Sequence, residues 1–253
     1  MLLKHMLIVA MLAIADTAHA RDAIELAYAT PEGLPFERGD AAGAGSYYAL
    51  SCEAQQCALV PTELARERGG VLSFDGSETG YTLRAPGEHT LALVRGIAGI
   101  KAGPVKTWYA SPWFASEAQR YLLHHRHRLY KTVPLDQGTL ELRGQWLQQV
   151  SACSWCAIGD GLTWKIEYAG LTRTLATIPE DAAAGRTQMP GADDLLLWVG
   201  DLDGDGKPDL LLRPQARPDY IELRLYLSTQ LVSGKPWTHA ARFYWRDPAS
   251  PST

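Results

Sequence analysis

Residues 201 to 209 read Asp-Leu-Asp-Gly-Asp-Gly-Lys-Pro-Asp, a run in which carboxylates alternate with spacers and glycines. A hard divalent cation such as calcium takes six to eight oxygen ligands at about 2.3–2.6 Å. Alternate positions on a tightly curling loop turn their side chains inward, so Asp201, Asp203 and Asp205 can converge on one point. Gly206 permits the sharp turn that a Cβ would obstruct. Lys207 offers its backbone carbonyl with its side chain pointing outward, and Asp209 closes the shell. Without a cation, each pair of these carboxylates repels by a few kcal/mol at an effective dielectric of about 20. The spacing therefore predicts a Ca2+ site. The competing reading is a solvated Asp/Gly turn. Magnesium fits less well, because it keeps several waters and demands a stricter octahedron.

The flanks decide which kind of loop this is. A helical EF-hand carries glutamate at its twelfth position and helices on both sides. Here the twelfth position is Leu212, and the flanks Leu195-Leu196-Leu197-Trp198-Val199 and Leu210-Leu211-Leu212 read as buried strands. The loop is expected to join two strands. Between Leu195 and Arg213 the sequence resembles the calcium hairpin of FG-GAP/VCBS-type repeats. A propeller of such repeats needs several copies, whereas Asp75-Gly76-Ser77-Glu78 and Gly159-Asp160-Gly161 lack the ligand series. The resemblance therefore implies one calcium-stapled hairpin inside a non-propeller β fold. The adhesion and ligand-binding roles of repeat-bearing relatives do not carry over.

The chain has four cysteines, which allow three disulfide connectivities. The local pairs Cys52–Cys57 and Cys153–Cys156 are favoured, because little entropy opposes closure of so short a loop. Cys153-Ser154-Trp155-Cys156 also has the spacing of a thiol-disulfide redox pair. Such a site needs its first cysteine at a helix N-terminus, which lowers the thiol pKa. The surroundings here are strand-like, so a structural disulfide is favoured over redox or metal-binding roles. In His124-His125-Arg126-His127-Arg128, His125 and His127 would share one face of a strand, but the arginines oppose a cation. A solvated basic strand is the expectation, with an acidic glycan or lipid headgroup as the alternative partner. The eight tryptophans are expected to pack between strands rather than stack on sugars. The sequence shows no Gly-x-Ser-x-Gly elbow, phosphate loop, His-Glu-x-x-His or dinucleotide fingerprint.

The elements that must position these residues are short and β-like. Tyr47 to Cys52 and Cys57 to Val60 flank the polar gap Glu53 to Gln56 and read as a hairpin. Further runs lie at Val71–Phe74, Thr90–Arg95, Val105–Ala110, Thr139–Arg143, Leu162–Tyr168, Asp194–Val199, Asp209–Leu212, Tyr220–Leu227 and Ala241–Trp245. Glycine and proline separate them. Thr62 to Arg68 is read as a helical turn or two, and Ser116 to Leu123 is ambiguous. The expected fold is all-β and mainly antiparallel, a sandwich or irregular barrel with few short helices. A soft division is placed at residue 115, with an N-terminal β region at 21–115 and a C-terminal one at 116–253, although one continuous domain fits as well.

The first twenty residues read as a secretory leader. Lys4 and His5 precede the apolar run Met6 to Ile14, and Ala18-His19-Ala20 is a small-x-small cleavage site. The mature chain is expected to begin at Arg21 and to be periplasmic or secreted. No twin arginine precedes the run and no cysteine follows the cut. No later apolar stretch approaches the roughly 20 residues of a membrane helix. The formal net charge of −4 argues against a nucleic-acid partner, which would need a basic stripe. These readings converge on an exported β protein with a structural calcium site and no evident catalysis. The alternatives are a glycan or cell-wall binding module of the bacterial envelope, and an envelope hydrolase or thiol-disulfide protein.

Overall fold

The computed structural model describes residues 23–36, 43–72, 78–85, 87, 89–111, 129–146, 161–179, 191–214, 216–217, 220–228 and 237–248. The chain is nearly all β. The first half contributes β1 (Glu25–Ala27), β2 (Leu34–Phe36), β3 (Gly45–Glu53), β4 (Gln56–Leu72), β5 (Glu78–Arg84), β6 (Thr90–Arg95) and β7 (Gly103–Ala110). The middle contributes β8 (Tyr130–Leu135), β9 (Gly138–Trp146), β10 (Gly161–Tyr168) and β11 (Leu171–Pro179). A one-turn helix, α1 (Ala192–Leu195), leads into β12 (Leu196–Asp201). The last strands are β13 (Asp209–Leu212), β14 (Ala216–Arg217), β15 (Tyr220–Leu227) and β16 (Thr238–Arg246).

Twelve strands form one large sheet in the order β1-β6-β3-β4-β7-β12-β13-β15-β14, with β16 beside β15 and β2 joined through β5 to β4. Strands β11-β10-β9-β8 form a second sheet. All the strand pairs are antiparallel. The large sheet curls into a nearly closed barrel. Its seam is held by side chains: the Trp245 indole N–H donates to the Pro35 carbonyl at 2.6 Å. The Phe243 ring meets Phe36 edge-on at 6.3 Å. Of the expected outlines, the irregular barrel describes the large sheet, and the small sheet adds a layer outside it.

The cores explain the leucine runs. Leu197, Trp198, Leu211, Leu223 and Leu225 face the barrel interior with Leu26, Leu93 and Phe243. Leu196, Val199, Leu210, Leu212 and Tyr226 face the other way, against Leu140, Leu142, Leu162, Trp164 and Ile166 of the small sheet. Strands β12 and β13 are thus covered on both faces, and such strands read as unbroken apolar segments rather than alternating ones. Strand β7 pairs with β12, so the large sheet takes strands from both sides of residue 115.

Two local expectations change. Thr62 to Arg68 is not helical: it lies within β4, with Thr62 and Leu64 buried and Glu63 exposed. Pairing with β3 and β5 on this stretch overrides the helix propensity of its Glu, Ala and Arg residues. Asp194 and Leu195 belong to α1 rather than to the following strand. The Asp194 carboxylate accepts the Gly191 N–H at 2.9 Å and holds that turn. The ambiguous stretch Ser116–Leu123 lies outside the described residues.

Candidate metal centre

Strands β12 and β13 pair so that Gly200 faces Asp209, leaving residues 201 to 208 as the connection. The loop joins two strands, as the flanking leucines suggested. Gly200 is fixed by space: a Cβ there would lie 2.1 Å from the Trp198 ring and 2.4 Å from the Lys106 carbonyl oxygen. Gly204 and Gly206 adopt φ of 80° and 81°, the left-handed region that glycine enters without a steric penalty. The loop is pinned at both ends. Leu202 is buried in the barrel core, and the Trp237 indole N–H donates to the Pro208 carbonyl at 2.6 Å.

Of the four expected carboxylates, Asp201, Asp203 and Asp209 converge, each offering an oxygen within 4.8 Å of the others. Asp205 lies outside that group. Its Oδ1 accepts the Lys207 N–H at 2.8 Å, and both its oxygens accept the Ser228 hydroxyl at 3.1 Å. The Lys207 ammonium is 3.7 Å away. Its oxygens are thus engaged by Ser228 and the Lys207 backbone rather than pointing only at the other carboxylates. The Lys207 side chain itself is exposed.

Asp209 is fully buried. Its Oδ2 accepts the Leu202 N–H at 2.8 Å and its Oδ1 accepts the Ser228 N–H at 2.8 Å. It therefore clamps the start of the loop to the end of β15. Burial pushes its pKa up to about 7, and the charge of Asp203 adds to the rise while the backbone N–H groups oppose it. Asp201 Oδ2 accepts the Gly206 N–H at 2.9 Å, but its Oδ1 is enclosed and finds no hydrogen-bond partner. Asp203 Oδ1 accepts the Asp205 N–H at 3.3 Å. An enclosed, unsatisfied carboxylate oxygen beside two further carboxylates lacks a positive charge. The donors are all oxygen, a set that suits a hard cation and not a soft one. Three carboxylates in this arrangement could hold a hard metal ion.

Sequence reasoning missed Ser228 and Trp237. Ser228 follows the apolar run of β15 with no spacing signal, and Trp237 is one of eight tryptophans. Only the folded register brings either to the loop.

The other candidates resolve as follows. Cys52 and Cys57 form a disulfide across directly paired positions of β3 and β4, with Cα atoms 4.1 Å apart. The turn is the two residues Ala54–Gln55, with Glu53 and Gln56 paired. Cys153 and Cys156, and His124, His125 and His127, lie outside the described residues. Trp164, Trp198, Trp237 and Trp245 are buried, and the Trp108 indole N–H donates to Asp136 at 3.1 Å. Among the described residues no helix is long and apolar enough to cross a membrane. Comparison with models of protein families, with curated proteins and with solved structures finds no match to this chain.

Proposed function

We propose that this chain is an exported β protein whose 201–209 loop holds a structural calcium ion, in the manner of the FG-GAP/VCBS hairpin it resembles. The observation that carries the reading is the enclosed Asp201 Oδ1, without a partner and set beside Asp203 and the buried Asp209. Asp201, Asp203 and Asp209 would hold the ion, with the Lys207 carbonyl as a further oxygen. Bound calcium would neutralise charges that otherwise repel inside a pinned loop. Asp205, engaged by Ser228 and Lys207, serves the loop's shape. The ion would brace β12 to β13 and, through Asp209 and Ser228, to β15.

Calcium of this kind acts by mass action, contributing about 2.7 kcal/mol at free calcium 100 times the dissociation constant. Isothermal titration of the chelator-stripped mature protein should show one calcium per chain. Absence of a saturable heat, or equal binding by an Asp201→Asn, Asp203→Asn double variant, would remove the proposal. Export is checked separately, by N-terminal sequencing of the protein recovered from the envelope or medium, with Arg21 as the expected first residue.

A further inference from the structure

On β15 and β16 the residues facing away from the barrel core are charged. Leu223, Leu225, Phe243 and Trp245 point inward, so the period-2 alternation of strands puts Glu222, Arg224, Arg242 and Tyr244 on the outer face. Arg224 and Arg242 are directly opposed across the two strands. Like charges so placed repel. Glu222, 1% exposed, relieves this in part: its Oε1 accepts Arg224 Nε at 2.7 Å and Arg242 Nε at 2.8 Å. Its Oε2 accepts the Tyr220 hydroxyl at 3.2 Å.

Strand β11 of the small sheet brings a third guanidinium to the same place. Its Leu175 carbonyl accepts Arg224 Nη1 at 3.2 Å and the Tyr226 hydroxyl at 3.2 Å. Two residues earlier, Arg173 lies over the Tyr226 ring, 5.2 Å from its centroid. The His239 ring meets the same Tyr226 edge-on at 5.5 Å. Arg173 Nη1 is enclosed and has no hydrogen-bond acceptor. A π face attracts its charge but offers the N–H no lone pair. Glu222 thus answers two of the guanidiniums with one oxygen, while Arg173 and His239 stand at Tyr226, the next outward residue after Arg224. An enclosed guanidinium N–H without an acceptor costs free energy that an anion would recover.

We propose that Arg173, Arg224, Arg242 and His239 bind an oxyanion at the junction of the small sheet with β15 and β16. The guanidinium fork matches the paired oxygens of a carboxylate, sulfate or phosphate. Tyr244, 44% exposed, packs edge-on against Tyr220 at 4.6 Å and carries Arg242 over its ring at 5.9 Å, so a sugar bearing that anion would meet an aromatic ring next to the guanidinium. Burial and then the charges of Arg224, Arg242 and Arg173 hold the His239 imidazole below its ordinary pKa, with Glu222 opposing. A bound anion adds a second negative neighbour and raises it.

The test is an NMR titration of the wild-type protein at constant ionic strength, following His239 and the arginine side-chain N–H signals. Sodium phosphate, sodium sulfate, sodium acetate and sodium glucuronate are the probes, with glucose as the neutral control. At least one anion should shift these signals saturably and raise the His239 pKa, while glucose does not. Tighter binding of glucuronate than of acetate identifies an acidic sugar as the source; phosphate tighter than both identifies a phosphate group. Arg173→Ala should weaken binding about tenfold, with thermal unfolding showing that the variant is folded. Shifts that grow linearly without saturating, or that persist unchanged in Arg173→Ala, overturn the proposal. Should that variant fail to fold, Arg242→Gln makes the same comparison, and the wild-type titration stands on its own.

Discussion

At the scale of residues, Asp209 and Asp201 do different work although both sit in the carboxylate group. Asp209 accepts one backbone N–H on each oxygen, so Asp209→Asn turns an amide N–H toward a backbone N–H. That substitution should cost about 1–3 kcal/mol in chelator, the usual penalty for a buried unsatisfied group, and should also weaken the gain from calcium. Asp201→Asn can keep the bond from Gly206 through its remaining oxygen. It should raise stability in chelator, because one of the repelling charges is gone, and abolish the gain from calcium. Urea unfolding of both variants with and without calcium reads out the difference. Equal effects of the two under both conditions would contradict the assignment. Protonation follows the same logic. Asp209 has a folded pKa near 7, above the ordinary unfolded value of about 3.9. In the calcium-free protein its contribution to stability is present in full at acid pH and is lost as pH rises through 7. That Asp201, Asp203 and Asp209 lie close together follows a spacing visible in the sequence, whereas the hydrogen bond of Asp205 to Ser228 joins two strands and had no local signal.

At the scale of elements, the hairpin depends on the close approach of β7 to β12. Gly200 sits where a methyl group would meet both the Trp198 ring and the Lys106 carbonyl. Gly200→Ala should therefore cost about 1–3 kcal/mol through overpacking, measured as a lowered urea midpoint at unchanged slope. An unaltered midpoint would show that the strands have room to separate. Several elements could be read directly from the sequence. Thr90–Arg95 is β6 and Asp209–Leu212 is β13, residue for residue. The cystine hairpin could be read because its signals are local: a polar gap between two apolar runs. The full length of β4 could not. Its far half, through Arg68, has the composition of a helix and becomes a strand because β3 and then β5 pair with it. Short strands such as β1 and β2 carry too few residues to show a period, and pairing alone defines them.

At the scale of the molecule, an all-β, mainly antiparallel fold was legible from short alternating runs divided by glycine and proline. Closure of the barrel was not, since Trp245 must reach Pro35 across most of the chain and no local pattern encodes that distance. The leucine runs beside the loop announced buried strands, yet that both faces are covered, and by which layers, emerged only from the fold. The candidate metal site lies where this double burial ends, so a bound ion would brace three strands of the large sheet at once and show in global stability. The most direct measurement is the thermal midpoint of the mature protein in excess calcium and in chelator, from pH 5 to pH 7.5. Calcium should raise the midpoint, and the gap should widen toward pH 7.5, as the calcium-free form loses the contribution of protonated Asp209 and the carboxylates become free to bind. Superimposed midpoints at every pH would contradict the account.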